Sequence, residues 1–145
     1  MKLSSDLIKS LATYTANLKD DVSIVLQKGS HEKREELVTF LEDVCSVSEK
    51  LNFEESDLCT SNRSSISFTL FSNGMNSGIT FSGIPGGHEF NSLVLAILQL
   101  GGADLKLDDN IKSMIFNINE KLDFEVFISL DCHICPEVVQ SLNKF

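Results

Sequence analysis

The sequence predicts an α/β fold. Helix-period and strand-period segments alternate along the chain, in the order α-β-α-β-β-β-α up to Gly102. One of these segments, GHEFNSLVLAILQL (87–100), is almost wholly apolar, which marks a helix buried against a sheet. After Gly102 a helix-strand-helix order restarts, and its last helix opens on a Cys-x-x-Cys pair, Cys132 and Cys135.

The first helix is predicted over residues 4–18, with Leu3, Leu7, Leu11, Tyr14 and Leu18 at helical spacing and Ser4 or Ser5 as N-cap. DVSIVLQ (21–27) alternates as a strand does. Residues 31–48 form an amphipathic helix with Leu37, Leu41 and Val44 on one stripe, and LNFEE (51–55) is a short strand. After a polar loop, SISFTLFS (65–72) and GITFSG (78–83) pair as a hairpin across NGMNSG, whose Gly and Asn suit a turn. The apolar helix then ends at Gly101-Gly102. This order resembles the thioredoxin fold with an extra leading helix.

In the restart, Asp108 or Asp109 caps a helix through residue 119 with Ile111, Ile115 and Ile118 inside. FEVFISL (124–130) is apolar on both faces, the pattern of a central strand. The restart parallels the opening of the chain: Ile8-Lys9-Ser10 recurs as Ile111-Lys112-Ser113, and laying Val22 on Phe124 puts Ser30 at Cys132 and Lys33 at Cys135. The predicted class is therefore α/β and thioredoxin-like. One complete fold without a cysteine pair (1–102) is followed by the first helix-strand-helix of a second (103–145), and the two share a continuous sheet. A segment as short as 103–145 cannot enclose a core alone. Phe124, Val126, Phe127 and Ile128 are thus expected to extend the first sheet, with the last helix laid across it. The edge left uncovered is expected to favour a homodimer.

The 145 residues carry a formal net charge of −9, which repels phosphate backbones and excludes nucleic acid as a natural partner. Asp6 and Lys9 interrupt the only apolar run near the start, so no signal peptide is read there. The longest apolar stretch, LVLAIL (93–98), is too short to span a bilayer, and the chain reads as soluble and cytoplasmic. Four cysteines without a secretory signal argue against a structural disulfide framework. Cys45 falls beside Leu41 and Val44 on an apolar stripe and reads as a small buried hydrophobe, whereas Cys59 lies in the polar loop DLCTSNRSS. A second close cysteine pair is lacking, but His88 and His133 could complete a zinc site.

A cysteine at a helix N-terminus meets unpaired N–H groups and the positive end of the dipole, which stabilise its thiolate. Cys132 is thereby the nucleophile, and Cys135, deeper in the turn, resolves the mixed disulfide. Protonated His133 would favour the thiolate further, or it is a solvated surface residue. Pro136 fits early in a helix, where its missing N–H costs least. Such a site also wants an acid/base group. The position six residues before the first cysteine is Val126, and Glu125 beside it points to the other face, so Glu89 of the first module is the candidate. Its alternative role is to interact with its own helix dipole.

Two stretches, GIPGGHEFNSLVLAILQLGG (83–102) and FEVFISLDCHICPEVVQSLN (124–143), resemble the N-terminal domain of the F component of alkyl hydroperoxide reductase, a peroxiredoxin reductase, and the likeness covers essentially the whole chain. The resemblance implies two thioredoxin-like folds in one sheet, the second holding the redox pair. It implies a relay of electrons from a flavoprotein reductase body, using FAD and NADH outside these residues, to a peroxiredoxin partner in peroxide detoxification. It assigns Cys132 and Cys135 as the redox pair and Glu89 as the acid/base group, with no cofactor or metal bound by this chain. The family commonly shows Cys-His-Asn-Cys-Pro-Asp, whereas Ile134 and Glu137 stand here, and Ser64-Ser65 replaces a proline before the third strand. The family continues past Asn143, so the chain is expected to be a piece of a longer protein, cut within its second fold. Two other readings remain beside this one: a redox-inactive docking fragment and a small zinc-binding module.

Overall fold

The computed structural model describes residues 2–58 and 64–145; Cys59 lies outside them. A four-stranded sheet in the order β2-β1-β3-β4 forms its frame. The strands are β1 (Val22–Gln27), β2 (Leu51–Ser56), β3 (Ser67–Ser72) and β4 (Met75–Ser82). β1 pairs with β2 in parallel, and the crossover this demands is α2 (Arg34–Cys45). β3 runs antiparallel to both β1 and β4. This is the thioredoxin-like α/β arrangement that the element order predicted.

The β3–β4 hairpin is tighter than expected. Its turn is Asn73-Gly74, both residues at positive φ (48° and 80°), and Ser72 pairs directly with Met75. An Asn-Gly pair accepts the doubly left-handed type I′ turn whose twist matches the flanking strands, so the chain reverses after two residues. Met75–Gly78, expected as turn, therefore belongs to β4, and a register shift between Thr69 and Phe71 takes up the irregularity.

Alternation along the strands decides where the core lies. Val22, Ile24 and Leu26 of β1 and Phe68 and Leu70 of β3 are fully buried. They join Leu11 of α1 (Ser5–Thr15), Leu37, Phe40, Leu41 and Val44 of α2, and Leu93, Ala96 and Ile97 of α3 (Phe90–Leu100) in one cluster. Phe40 meets Phe90 edge-on at 6.1 Å between ring centroids, which ties α2 to the start of α3. The opposite sheet face carries hydroxyls: Ser67 bonds Ser82 at 2.6 Å and Thr69 bonds Thr80 at 2.8 Å.

After Gly101 no described residue is fully buried. α4 (Asp109–Phe116) forms with Asp108 as N-cap, its side chain accepting from the Asn110 N–H at 2.8 Å. The strand expected over 124–130 does not form, and no fifth strand joins the sheet among the described residues. Phe124 is 56% exposed and Phe127 91% exposed, with Val126 and Ile128 also in the open. An apolar run becomes a strand only when a neighbouring edge offers N–H and C=O partners, and none of the four strands pairs with this one. The continuous sheet expected from the sequence thus stops at β4. The last helix, α5 (Cys135–Leu142), is not laid across the sheet; it packs on α3 and on the 3₁₀ turn Gly87–Glu89 that leads into α3.

Candidate functional site

α5 begins at Cys135 with Pro136 directly after it. Sequence reasoning placed Cys132 within the helix, and the structure moves it just outside. Pro136 gives the reason: a proline ring inside a helix clashes with the carbonyl four residues earlier, here that of Cys132, so the helix cannot extend back through it. The chain instead turns, with the Cys132 N–H on Ser129 O at 3.0 Å and the Glu137 N–H on Ile134 O at 3.1 Å.

This turn brings the two cysteines together as a disulfide, with Cα atoms 5.5 Å apart. Both are half-buried. The Cys135 N–H, the first donor of α5, points at Cys132 Sγ at 3.2 Å. When the disulfide is reduced, the same donor and the open N-terminal turn face a thiolate at position 132.

Three contacts fix the segment carrying Cys132 and Cys135 to α3 and the 3₁₀ turn before it. Gln140 Nε2 donates to Ser92 Oγ at 3.3 Å, joining α5 to a fully buried serine of α3. Gly87, at φ +54°, lies so close to the loop before Cys132 that a Cβ on it would stand 3.3 Å from Leu130 O. Lastly, the rings of His88 and His133 meet with centroids 4.6 Å apart, tilted by 59°. The sequence brought these two histidines together only as possible zinc ligands, and their ring contact was not anticipated. The signal available was their position within the two stretches that carry the family likeness.

Glu89 closes the 3₁₀ turn on which α5 packs. It is 3% exposed, and its Oε1 has no hydrogen-bond partner among the described residues. Its side chain makes no capping hydrogen bond to α3. A buried carboxyl oxygen without a partner is costly to folding, which sets this residue apart from the rest of the core.

The corresponding loop of the first module is closed by polar contacts. Arg34 Nη1 donates to Gln27 O at 2.6 Å and to Ser65 O, Nη2 pairs with Glu55, and Ser65 Oγ donates to Ser30 O at 2.8 Å. Ser30 and Lys33, which the sequence alignment sets against the two cysteines, bring no thiol. Cys45 is half-buried against the core, and burial pushes its thiol up from 9.0 to about 12.

For the zinc reading, no group of three or more His, Cys, Asp or Glu able to hold a metal occurs among the described residues. The β1–α2 loop, KGSHEK, has a single glycine, and no Gly-x-Gly-x-x-Gly turn occurs in the sequence. No described helix is long and apolar enough to cross a membrane.

No protein-family model matches the chain. It is 41% identical over 141 residues to the F component of alkyl hydroperoxide reductase of Staphylococcus aureus (strain Mu50), which covers 97% of this chain and 27% of that protein. It thus spans about a quarter of the length of the curated relatives it matches. Among solved structures, the NTD_N/C domain of the alkylhydroperoxide reductase AhpF from Enterococcus faecalis superposes with a TM-score of 0.83 at 31% identity, over 98% of this chain and 73% of that one. A protein disulfide oxidoreductase from Aeropyrum pernix K1 superposes with a TM-score of 0.78 at 21% identity, over 97% of this chain and 66% of that one, a likeness of fold alone. With a disulfide at a helix start, a thioredoxin-like frame and these relatives, the chain belongs to the family of N-terminal domains of the alkyl hydroperoxide reductase AhpF.

Proposed function

We propose that the chain is a dithiol/disulfide electron-transfer domain of an NADH-dependent peroxiredoxin reductase, relaying electrons from a flavoprotein body to a peroxiredoxin in peroxide detoxification. The observation that carries this reading is the Cys132–Cys135 disulfide at the start of α5, with a helix-start N–H on the Cys132 sulfur. In the reduced domain the Cys132 thiolate attacks the disulfide of the partner, forming a mixed disulfide and releasing one partner thiolate. Cys135 then attacks Cys132, the intradomain bond re-forms, and the partner leaves with two electrons as a dithiol. Glu89 is the group proposed to take and return the proton of Cys135. FAD and NADH are assigned to the body outside these residues, and the cycling dithiol suits a reducing, cytoplasmic compartment.

The test is stoichiometric exchange between the reduced chain and an oxidised peroxiredoxin, followed by thiol trapping. Transfer of two electrons that Cys132→Ser abolishes is expected. Cys132 should also titrate below the ordinary thiol value of about 8.5, and alkylation at equal rates for Cys59 and Cys132 across neutral pH would sink the reading. The exposed run from Phe124 to Leu130 favours a second reading, a redox-inactive docking fragment, which binding without exchange would select. The same exposed side chains motivate the homodimer, which sedimentation across a concentration series would detect.

A further inference from the structure

We propose that Ile134 is a specificity-determining residue for disulfide exchange: it seats an apolar side chain that flanks the reacting cysteine of a protein partner. The inference rests on the redox reading of the Cys132–Cys135 pair. Both cysteines and Pro136 are half-buried, so an approaching molecule first meets the exposed side chains around them: Asp131, His133, Ile134, Glu137 and Val138. Ile134 stands between the two cysteines in the chain and is the N-cap of α5. It is 70% exposed, and Val138, one helical turn on, is 46% exposed. The i, i+4 spacing puts the two side chains on one face. Neither belongs to the hydrophobic core. Gln140 turns another face of the helix onto Ser92, so the docking of α5 on α3 leaves Ile134 and Val138 open.

Disulfide exchange decides what covers this surface. The reduced Cys132 thiolate attacks one sulfur of the partner's disulfide. The bond from Cys132 to that sulfur forms, the partner's S–S bond breaks, and its second sulfur leaves as a thiolate. In the mixed disulfide the two Cα atoms stand about 4.4–6.8 Å apart. Ile134 is two residues from Cys132, and consecutive Cα atoms are about 3.8 Å apart, so the residues flanking the partner's cysteine come within side-chain reach of it.

The chemistry of the surface selects among those residues. Asp131 and Glu137 border it, and residues 131–138 include no Lys or Arg. An acidic side chain on the partner is repelled there. A polar one keeps its water and leaves the Ile134 side chain wet, whereas an apolar one removes both surfaces from water.

The experiment uses the reduced 145-residue chain. Its substrates are symmetrical disulfides of capped tripeptides with cysteine at the centre and leucine, asparagine or aspartate on both sides. Exchange is followed by stopped flow, and each rate is divided by that of dithiothreitol with the same peptide, which removes the peptide's own reactivity. The unmodified chain should prefer the leucine peptide to the asparagine peptide about three- to tenfold, with the aspartate peptide slowest. I134N should bring the leucine and asparagine rates within about twofold of each other, and I134L should keep the preference. Both variants are checked for fold by circular dichroism. A preference that I134N leaves intact, or that I134L loses, would overturn the proposal. So would an I134N that slows all three peptides by one factor, because Ile134 would then act on the sulfur and not on the partner. If the reduced unmodified chain exchanges with none of the peptides, the redox reading falls and this inference with it. Exchange without a leucine preference overturns this inference alone.

Discussion

Arg34→Ala tests what ties the loop after β1 to its neighbours. The Arg34 side chain is only 13% exposed, and one guanidinium serves three partners on three segments: Gln27 O at the end of β1, Ser65 O before β3, and Glu55 on β2. Hydrogen bonds from a charged donor contribute about 1.5–3 kcal/mol each. The Glu55 carboxylate is 43% exposed, so that pair is screened and contributes about 0.5 kcal/mol or less. Removing the side chain loses both carbonyl contacts, partly replaced by water, and the expected destabilisation is about 2–4 kcal/mol. Glu55→Ala should cost a small fraction of this, and Arg34→Lys should recover little, because an ammonium cannot span the fork. Urea unfolding followed by far-UV circular dichroism gives the comparison, with an unchanged slope showing that the denatured state is the same. A loss below about 1 kcal/mol for Arg34→Ala, or equal losses for Arg34→Ala and Glu55→Ala, would refute the assignment of the energy to the carbonyl bonds.

Glu89→Gln should leave stability unchanged or slightly raised, because a neutral amide of the same shape replaces a buried ionisable carboxyl. It should slow disulfide exchange by about 100-fold if the carboxyl moves the proton of Cys135, as stopped-flow kinetics with a peroxiredoxin would show. Gly87→Ala places a Cβ at φ +54° and 3.3 Å from Leu130 O. A stability loss of about 1–2 kcal/mol is expected, measured by urea unfolding, together with faster reduction of the displaced disulfide by dithiothreitol. For Cys45 the folded thiol is raised from 9.0 to about 12 by burial. Folding therefore favours its protonated form, so its contribution is complete below pH 9 and is lost as pH rises from 9 towards 12. A pH series of unfolding midpoints should show this decline and Cys45→Ala should flatten it, while native Cys45 stays unreactive to a thiol reagent near neutral pH.

The parts of the fold that were legible are those that short-range rules determine. Asn and Gly marked the reversal between β3 and β4, although the sequence spread it over six residues where two suffice, and the apolar length of α3 leaves it no stable place except against the sheet. The strand over 124–130 does not form because its pattern records a preference that only a neighbouring edge can realise. At the site, the cysteine spacing was legible, but the helix start was not. Pro136 holds that information, since its ring excludes Cys132 from the helix rather than being merely tolerated early in it. The meeting of His88 with His133, and of Gln140 with Ser92, depends on how α5 docks on α3, which no local pattern encodes.

The distribution of burial shows what supports the helix that carries Cys135. Every fully buried apolar side chain lies between Leu3 and Ile97, while α5 and the loop before it contribute none among the described residues. A helix of eight residues is too short to persist on its own. Its order comes from the surface it rests on, and that surface is the start of α3, held from below by Phe40 against Phe90 and by the buried Leu93 and Ile97. The contacts across the boundary are a hydrogen bond, a close backbone approach and a ring pair, each weak compared with the core. Opening of the redox segment therefore requires much less free energy than unfolding of the module beneath it. Under the proposed function, in which the disulfide leaves its resting contacts to meet a partner's sulfur, that inequality is required: a firm platform, and a segment attached to it by contacts that can be exchanged.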